Sequence, residues 1–163
     1  MSEVQSKLTI GIADMKFAQK EGLLVTYALG SCIGICLYDS VAKVGGLLHI
    51  MLPLNMEAGR KNPLKYADTG FAEMVKQITR MGASPSRLTA KLAGGAKMFE
   101  VNGSSSLGNI GQRNIESVHM QLKKHGVRLI KEDVGGSVAR TLLFNVSDGS
   151  ACIRSYGKPE LII

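Results

Sequence analysis

Two runs, Ile33-Gly34-Ile35-Cys36-Leu37-Tyr38 and Val44-Gly45-Gly46-Leu47-Leu48-His49-Ile50-Met51-Leu52, flank the short link Asp39-Ser40-Val41-Ala42-Lys43. Both are rich in aliphatic and β-branched residues and have the length of strands, so together they predict a hairpin. A turn centred between Ser40 and Val41 sets its register. In that register Cys32 lies directly opposite His49, on the same face. Directly opposed residues have Cβ atoms roughly 4.5–5.5 Å apart, close enough for a thiol to approach an imidazole.

Outward from the hairpin, the chain alternates between strand and helix signals. Toward the N-terminus, Leu8 to Ala13 and Leu23 to Ala28 read as strands, with Asp14 to Gly22 between them as a loop or short helix. Pro53 ends the hairpin, and Leu54 to Pro63 is a polar surface connection. From Leu64 to Met81 the apolar period becomes helical through Ala67, Phe71, Met74, Val75, Ile78 and Met81, and Gly82 is placed to stop it. Arg87 to Ala93 then reads as a strand. A Gly/Ser-rich loop follows, and a second helix starts at Asn109 or Ile110, with Ile115, Val118 and Leu122 on one face and Gly126 as its stop. Val127 to Lys131 is a further strand. Arg140 to Val146 and Ala151 to Tyr156 bracket an Asp148-Gly149 turn of the hairpin type. This order predicts one layered α/β (α+β) domain over residues 1–163, with a mixed sheet or pair of sheets and two main helices packed against it.

Composition narrows the function. With 45% hydrophobic and 20% charged residues the chain is a folded protein, and 163 residues suit one domain. The start lacks the layout of a secretory signal, and the most apolar window, Gly45 to Leu54, is about half the length a membrane-spanning helix needs. A cytoplasmic location is expected. The formal charge of +7 comes from dispersed Lys and Arg, without a basic stripe or interleaved aromatics, so nucleic-acid binding is disfavoured. Three cysteines, Cys32, Cys36 and Cys152, form neither a disulfide framework nor a C-x-x-C motif, and no second Cys/His cluster completes a zinc site. No metal or cofactor is expected. Gly94-Gly95-Ala96-Lys97 lacks the spacing of a phosphate-binding loop. Cys36 and Cys152 lie inside apolar runs and read as small buried hydrophobes, while His119 and His125 read as structural histidines of the second helix.

The chemistry concentrates in Thr26-Tyr27-Ala28-Leu29-Gly30-Ser31-Cys32. A neutral imidazole can take the proton of the Cys32 thiol, and the thiolate then attacks an acyl carbon. Thr26, at the other end of the turn, is the nearest polar group able to orient the imidazole. The tight segment through Gly30 and Ser31 can turn backbone N–H groups toward a developing oxyanion, that of Cys32 included.

The same residues resemble the CheD family of chemoreceptor glutamine deamidases. The resemblance starts at Thr26 to Cys32 and Asp39 to Pro53, and continues through Lys65-Tyr66-Ala67-Asp68-Thr69 and Gly94-Gly95-Ala96-Lys97-Met98-Phe99. It extends to Ile110-Gly111-Gln112-Arg113-Asn114 and Glu132-Asp133-Val134-Gly135-Gly136 with Arg140, and so covers nearly the whole chain. It implies a fold akin to bacterial toxin-type cysteine deamidases, with Cys32 as nucleophile, His49 as general base and Thr26 as the third member. It also implies conversion of receptor glutamines to glutamates on long helices, and in many family members binding of a CheC-type phosphatase. The loop near Gly94 to Ser106 and the connection Asn55 to Asn62 are candidate receptor contacts. Two alternatives remain at this level: a signalling adaptor that modulates a CheC-type phosphatase, and hydrolysis of receptor glutamyl methyl esters by the same nucleophile.

Overall fold

The computed structural model describes residues 6–54, 62–98 and 109–163. The predicted hairpin is its centre. Strands β4 (Ile33–Asp39) and β5 (Val44–Ile50) pair antiparallel and are buried along their whole length. Strands covered on both faces carry continuous apolar runs instead of a clean alternation, and the two faces divide the residues accordingly. Ile33, Ile35, Leu37, Val44, Leu48 and Ile50 point one way, into a core shared with the helices. Cys36, Tyr38 and Leu47 point the other way, against a second sheet.

Among the described residues, ten strands and two α-helices form the layers. β1 (Lys7–Thr9), β2 (Asp14–Gln19) and β3 (Leu23–Leu29) precede the hairpin. After it come α1 (Ala67–Arg80), β6 (Thr89–Gly94), α2 (Ile110–His125), β7 (Arg128–Val134), β8 (Arg140–Asn145), β9 (Ala151–Ser155) and β10 (Leu161–Ile162). One five-stranded sheet runs β1-β3-β8-β9-β10 and the other β2-β5-β4-β6-β7. The sheets stack face to face, and both helices cover the outer side of the second. From α1 the buried Phe71, Met74 and Ile78 lie on one face, and from α2 Ile115, Val118 and Leu122 do the same. Each fully buried side chain of this size contributes about 1.5–3 kcal/mol, so the helix–sheet layer is a large share of the driving force. Gly126 takes the left-handed conformation (φ 66°) that ends α2, and Lys123, Lys124 and His125 sit where the helix dipole favours cations.

Several expectations are corrected. The segment Asp14 to Gly22 is not a loop or short helix, since most of it is β2, an edge strand on β5. Met15 and Phe17 alternate with Lys16 and Ala18, and they reach the helix-side core while Ala18 reaches the inter-sheet one. The first strand is shorter than Leu8 to Ala13, because Ala13 turns with φ 57° into β2. The first helix begins later than Leu64: Pro63 to Lys65 form a separate 3-10 turn, capped by the Asn62 side chain. Strand β10 carried no signal in the sequence.

The hairpin register also differs. Gly34, not Cys32, faces His49, and Ile33 faces Ile50. The cause is a four-residue loop, centred one position later than expected. The Asp39 carboxylate accepts the N–H groups of Val41 and Ala42, and Lys43 closes the turn at φ 56°. The buried Asp39 is further held by Arg87 and the Ser84 N–H. The shift is two residues along the pairing. Because side chains alternate with period two, it leaves face assignments unchanged.

Candidate active site

The site lies at one edge of the space between the sheets and is assembled from three adjacent stretches. β3 contributes Thr26, just before a bulge: Thr26 pairs with Leu142 but Leu29 pairs with Arg140, so β3 carries one extra residue there. The bulge puts Ala28 at φ 56° and leaves Tyr27 half-exposed. Bulges re-aim side chains beside functional sites, and this one turns the chain toward Gly30-Ser31-Cys32 at the start of β4. β5 contributes His49.

Thr26 and His49 meet. The Thr26 hydroxyl and His49 Nδ1 are 2.7 Å apart, and the same hydroxyl donates to the Ile10 carbonyl at 2.8 Å. A hydroxyl has one proton to donate, and a carbonyl can only accept. The Thr26 proton is therefore committed to Ile10, and Nδ1 must donate to the hydroxyl oxygen. This assigns the Nδ1–H tautomer and leaves a lone pair on Nε2. Both side chains are almost fully buried (0% and 1% exposed), and Nε2 has no hydrogen-bond partner among the described residues. Burial holds the His49 pKa down at about 4, so the imidazole is neutral near pH 7.

Cys32 is half-buried and packs on the inter-sheet cluster, the side to which His49 also points. Burial raises its pKa, and its own backbone N–H opposes that in part. Burial thus disfavours the charged form of both the thiol and the imidazole. With Nε2 unpartnered, the thiol is not hydrogen-bonded to it in this state. Gly34, opposite His49, has no side chain, and a Cβ there would reach the Leu142 and Thr26 side chains at 2.7 and 3.6 Å.

The loop through Gly30 and Cys32 is pinned from below by the end of β6. Cys32 C=O accepts the Gly95 N–H at 2.9 Å, and Gly30 C=O accepts the Ala96 N–H at 2.8 Å. A Cβ on Gly94, whose φ is +117°, would come within 2.1 Å of the Cys32 carbonyl oxygen. Only glycine permits that approach. Arg140 fixes the same corner, donating Nη1 to Gly94 C=O and Nε to Asp133. Gly30 itself does not offer an N–H to an oxyanion, because that group donates to Ala28 C=O. Among the described residues, the Ser31 and Cys32 N–H groups have no backbone acceptor. Met98 packs beside Gly30, where a Cβ would crowd its Cγ at 3.1 Å.

The other singled-out residues lie elsewhere. Cys36 is buried in the inter-sheet core, with its pKa raised above the ordinary thiol range by burial. Cys152 is only half-buried, contrary to the expectation of a core residue, since it lies near the edge of its sheet on β9. His119 pairs with Glu132 at 2.6 Å, and the His125 ring lies 5.2 Å from Phe71. Among the described residues no three His, Cys, Asp or Glu side chains cluster as a metal site requires. No helix there is long and apolar enough to cross a membrane. The expected receptor contacts at Asn55 to Asn62 and Gly94 to Ser106 fall largely outside the described residues.

Reading the sequence alone overlooked the Ile10 carbonyl, whose position depends on a strand pairing far along the chain. It also gave Gly94 and Arg140 no part in holding the loop; the doubled glycine and the lone arginine were the available signals.

A half-buried thiol and a buried imidazole whose tautomer a hydroxyl fixes thus lie in a two-sheet α+β protein. Comparison with known proteins gives the family. The family model described as CheD chemotactic sensory transduction matches residues 51–155. A probable chemoreceptor glutamine deamidase CheD of Desulforamulus reducens is 45% identical over 100% of this chain and 99% of its own. The proteins of that name from Desulfitobacterium hafniense and Thermococcus kodakarensis are 47% and 45% identical, each over 96% of this chain and 98% and 97% of their own. The chain belongs to the CheD family. A solved Neisseria meningitidis protein of the DUF152 family shares the fold, with a TM-score of 0.51 and 13% identity over 81% of this chain and 64% of that one.

Proposed function

We propose that this chain is a protein-glutamine deamidase that converts glutamine side chains of chemoreceptors to glutamate through a thioester on Cys32. The relatives' names supply the substrate class. The observation that carries the chemistry is the hydrogen bond from His49 Nδ1 to Thr26, which leaves Nε2 as a base with no other partner. As the Cys32 sulfur bonds to the carboxamide carbon, the thiol proton moves to Nε2, and the positive charge formed there is held by Thr26 through Nδ1–H. The oxyanion is received by the Ser31 and Cys32 N–H groups. Collapse breaks the C–N bond, Nε2 returns the proton to the nitrogen, and ammonia leaves. Water then attacks the thioester, giving its proton to Nε2, and the thiol is regenerated with a glutamate as product. No step calls on a metal or cofactor.

The reaction belongs in the cytoplasm, where receptor signalling helices are. A CheC-type phosphatase is the partner that the family resemblance implies, to be checked by measuring whether it competes with receptor for this chain. The test of the activity is incubation with receptor cytoplasmic fragments, mapping glutamine-to-glutamate conversion by mass spectrometry alongside ammonia release. Site-specific conversion with one ammonia per glutamate is expected, and a receptor left unmodified would overturn the proposal.

A further inference from the structure

We infer that Asn114 is a positioning residue for the catalytic pair, an inference that rests on the Cys32–His49 reading above. The hairpin ladder ends at Ile33 and Ile50, and beyond it the two strands part. On one branch, Gly30 and Cys32 are bound by the end of β6; on the other, the Met51 and Leu52 N–H groups turn to Lys65 C=O. Cys32 lies on the first branch, and His49 is held one residue short of the second. Among the described residues no backbone hydrogen bond joins the two branches directly.

Asn114 spans it. From α2, its fully buried amide nitrogen donates to Ser31 C=O at 2.8 Å and to Met51 C=O at 3.0 Å. Both acceptors are carbonyls, so the amide orientation is fixed: an oxygen in that place would face two others. One planar group thus ties the residue before the nucleophile to the residue two beyond the base. The approach of α2 that allows this is tight, because a Cβ on Gly111, one turn earlier, would lie 2.5 Å from both Gly95 and Ala96 carbonyl oxygens. The Asn114 Oδ1 is buried without a partner among the described residues. An unpaired acceptor in a core is unfavourable, and the bridge made by the other end of the same amide is what the position gains for it. Glutamine is one methylene longer, and aspartate cannot donate.

The experiment compares Asn114→Ala with Ser117→Ala. Ser117 donates to Pro53 C=O at 2.6 Å from one turn further along α2, so it secures only the His49 branch. On receptor fragments, Asn114→Ala is expected to lower kcat by roughly tenfold or more, the equivalent of one or two buried hydrogen bonds, with KM little changed. The pH profile of Cys32 alkylation is expected to shift with it. Ser117→Ala should keep kcat within about twofold, while losing a comparable hydrogen bond. Asn114→Leu, which keeps the branched shape and leaves no cavity, covers the case in which the alanine cavity prevents folding. Wild-type kcat in a folded Asn114 variant overturns the inference, as does failure of both variants to fold when Ser117→Ala folds, which would make Asn114 a structural strut. Activity surviving in Cys32→Ala would instead overturn the catalytic reading, whatever Asn114 does.

Discussion

Thr26→Val is the substitution that probes the catalytic geometry with least disturbance of packing. Valine has the shape of threonine without the hydroxyl. In the wild type that hydroxyl connects Ile10 C=O to His49 Nδ1 through two short hydrogen bonds, all within the buried layer between the sheets. Removing it leaves two buried polar groups without partners, each costing about 1–3 kcal/mol. The cost at His49 grows in the transition state, because the imidazolium needs an acceptor for Nδ1–H more than the neutral ring does. If that 1–3 kcal/mol is lost only there, kcat falls roughly 5- to 150-fold. The assay is deamidation of a receptor fragment under saturating conditions, with KM measured in parallel. Thr26→Ser, which keeps the hydroxyl, should recover most of the rate, and nitrogen chemical shifts of His49 should show the tautomer mixing in Thr26→Val. A folded Thr26→Val with unchanged kcat would refute the argument that this hydroxyl orients the base.

Three further outcomes follow from the site. His49 has a folded pKa of about 4, below its ordinary 6.5, so the unfolded state binds the extra proton between those values. Stability should then fall as pH drops from 6.5 to 4, by on the order of 3 kcal/mol from this group, and urea titrations of His49→Gln should show a flatter dependence across that window. Cys32, with its pKa raised by burial and a neutral neighbour, should be alkylated slowly by iodoacetamide at neutral pH, the rate climbing only in the alkaline range; a high plateau below pH 7 would reveal an ion pair. Gly94→Ala forces a Cβ into the Cys32 carbonyl at a left-handed φ, which should cost about 1–3 kcal/mol of stability and impair deamidation, both measurable on one purified variant.

The residues that made the fold legible were those whose pattern has a single physical explanation. The buried hairpin, the helical spacing from Phe71 to Ile78 and the Gly126 stop each identify their element from local sequence alone. β2 was not legible, because only Met15 and Phe17 supply large inward side chains, Ala18 is small, and the rest looks like a polar loop. The hairpin register was missed by two positions, since it depends on Asp39 accepting two N–H groups and being held by Arg87, 48 residues away in sequence. The shift leaves the face assignments intact, and by extension of the ladder Cys32 stands two positions from the residue opposite His49. The Thr26–His49 contact joins two sheets, and spacing along the chain carries little information about such a meeting. The Ile10 carbonyl and the Asn114 bridge are further removed still: both are contacts with backbone, where the partner's side chain leaves no mark in the sequence.

In the reaction proposed above, Cys32 performs the deamidation. Its most direct measurement is the glutamate yield from a receptor fragment treated with wild-type protein and with Cys32→Ala at equal folded concentration. Site-specific conversion is expected from the wild type, and none above the uncatalysed background from Cys32→Ala. Conversion by Cys32→Ala at the wild-type rate would contradict it.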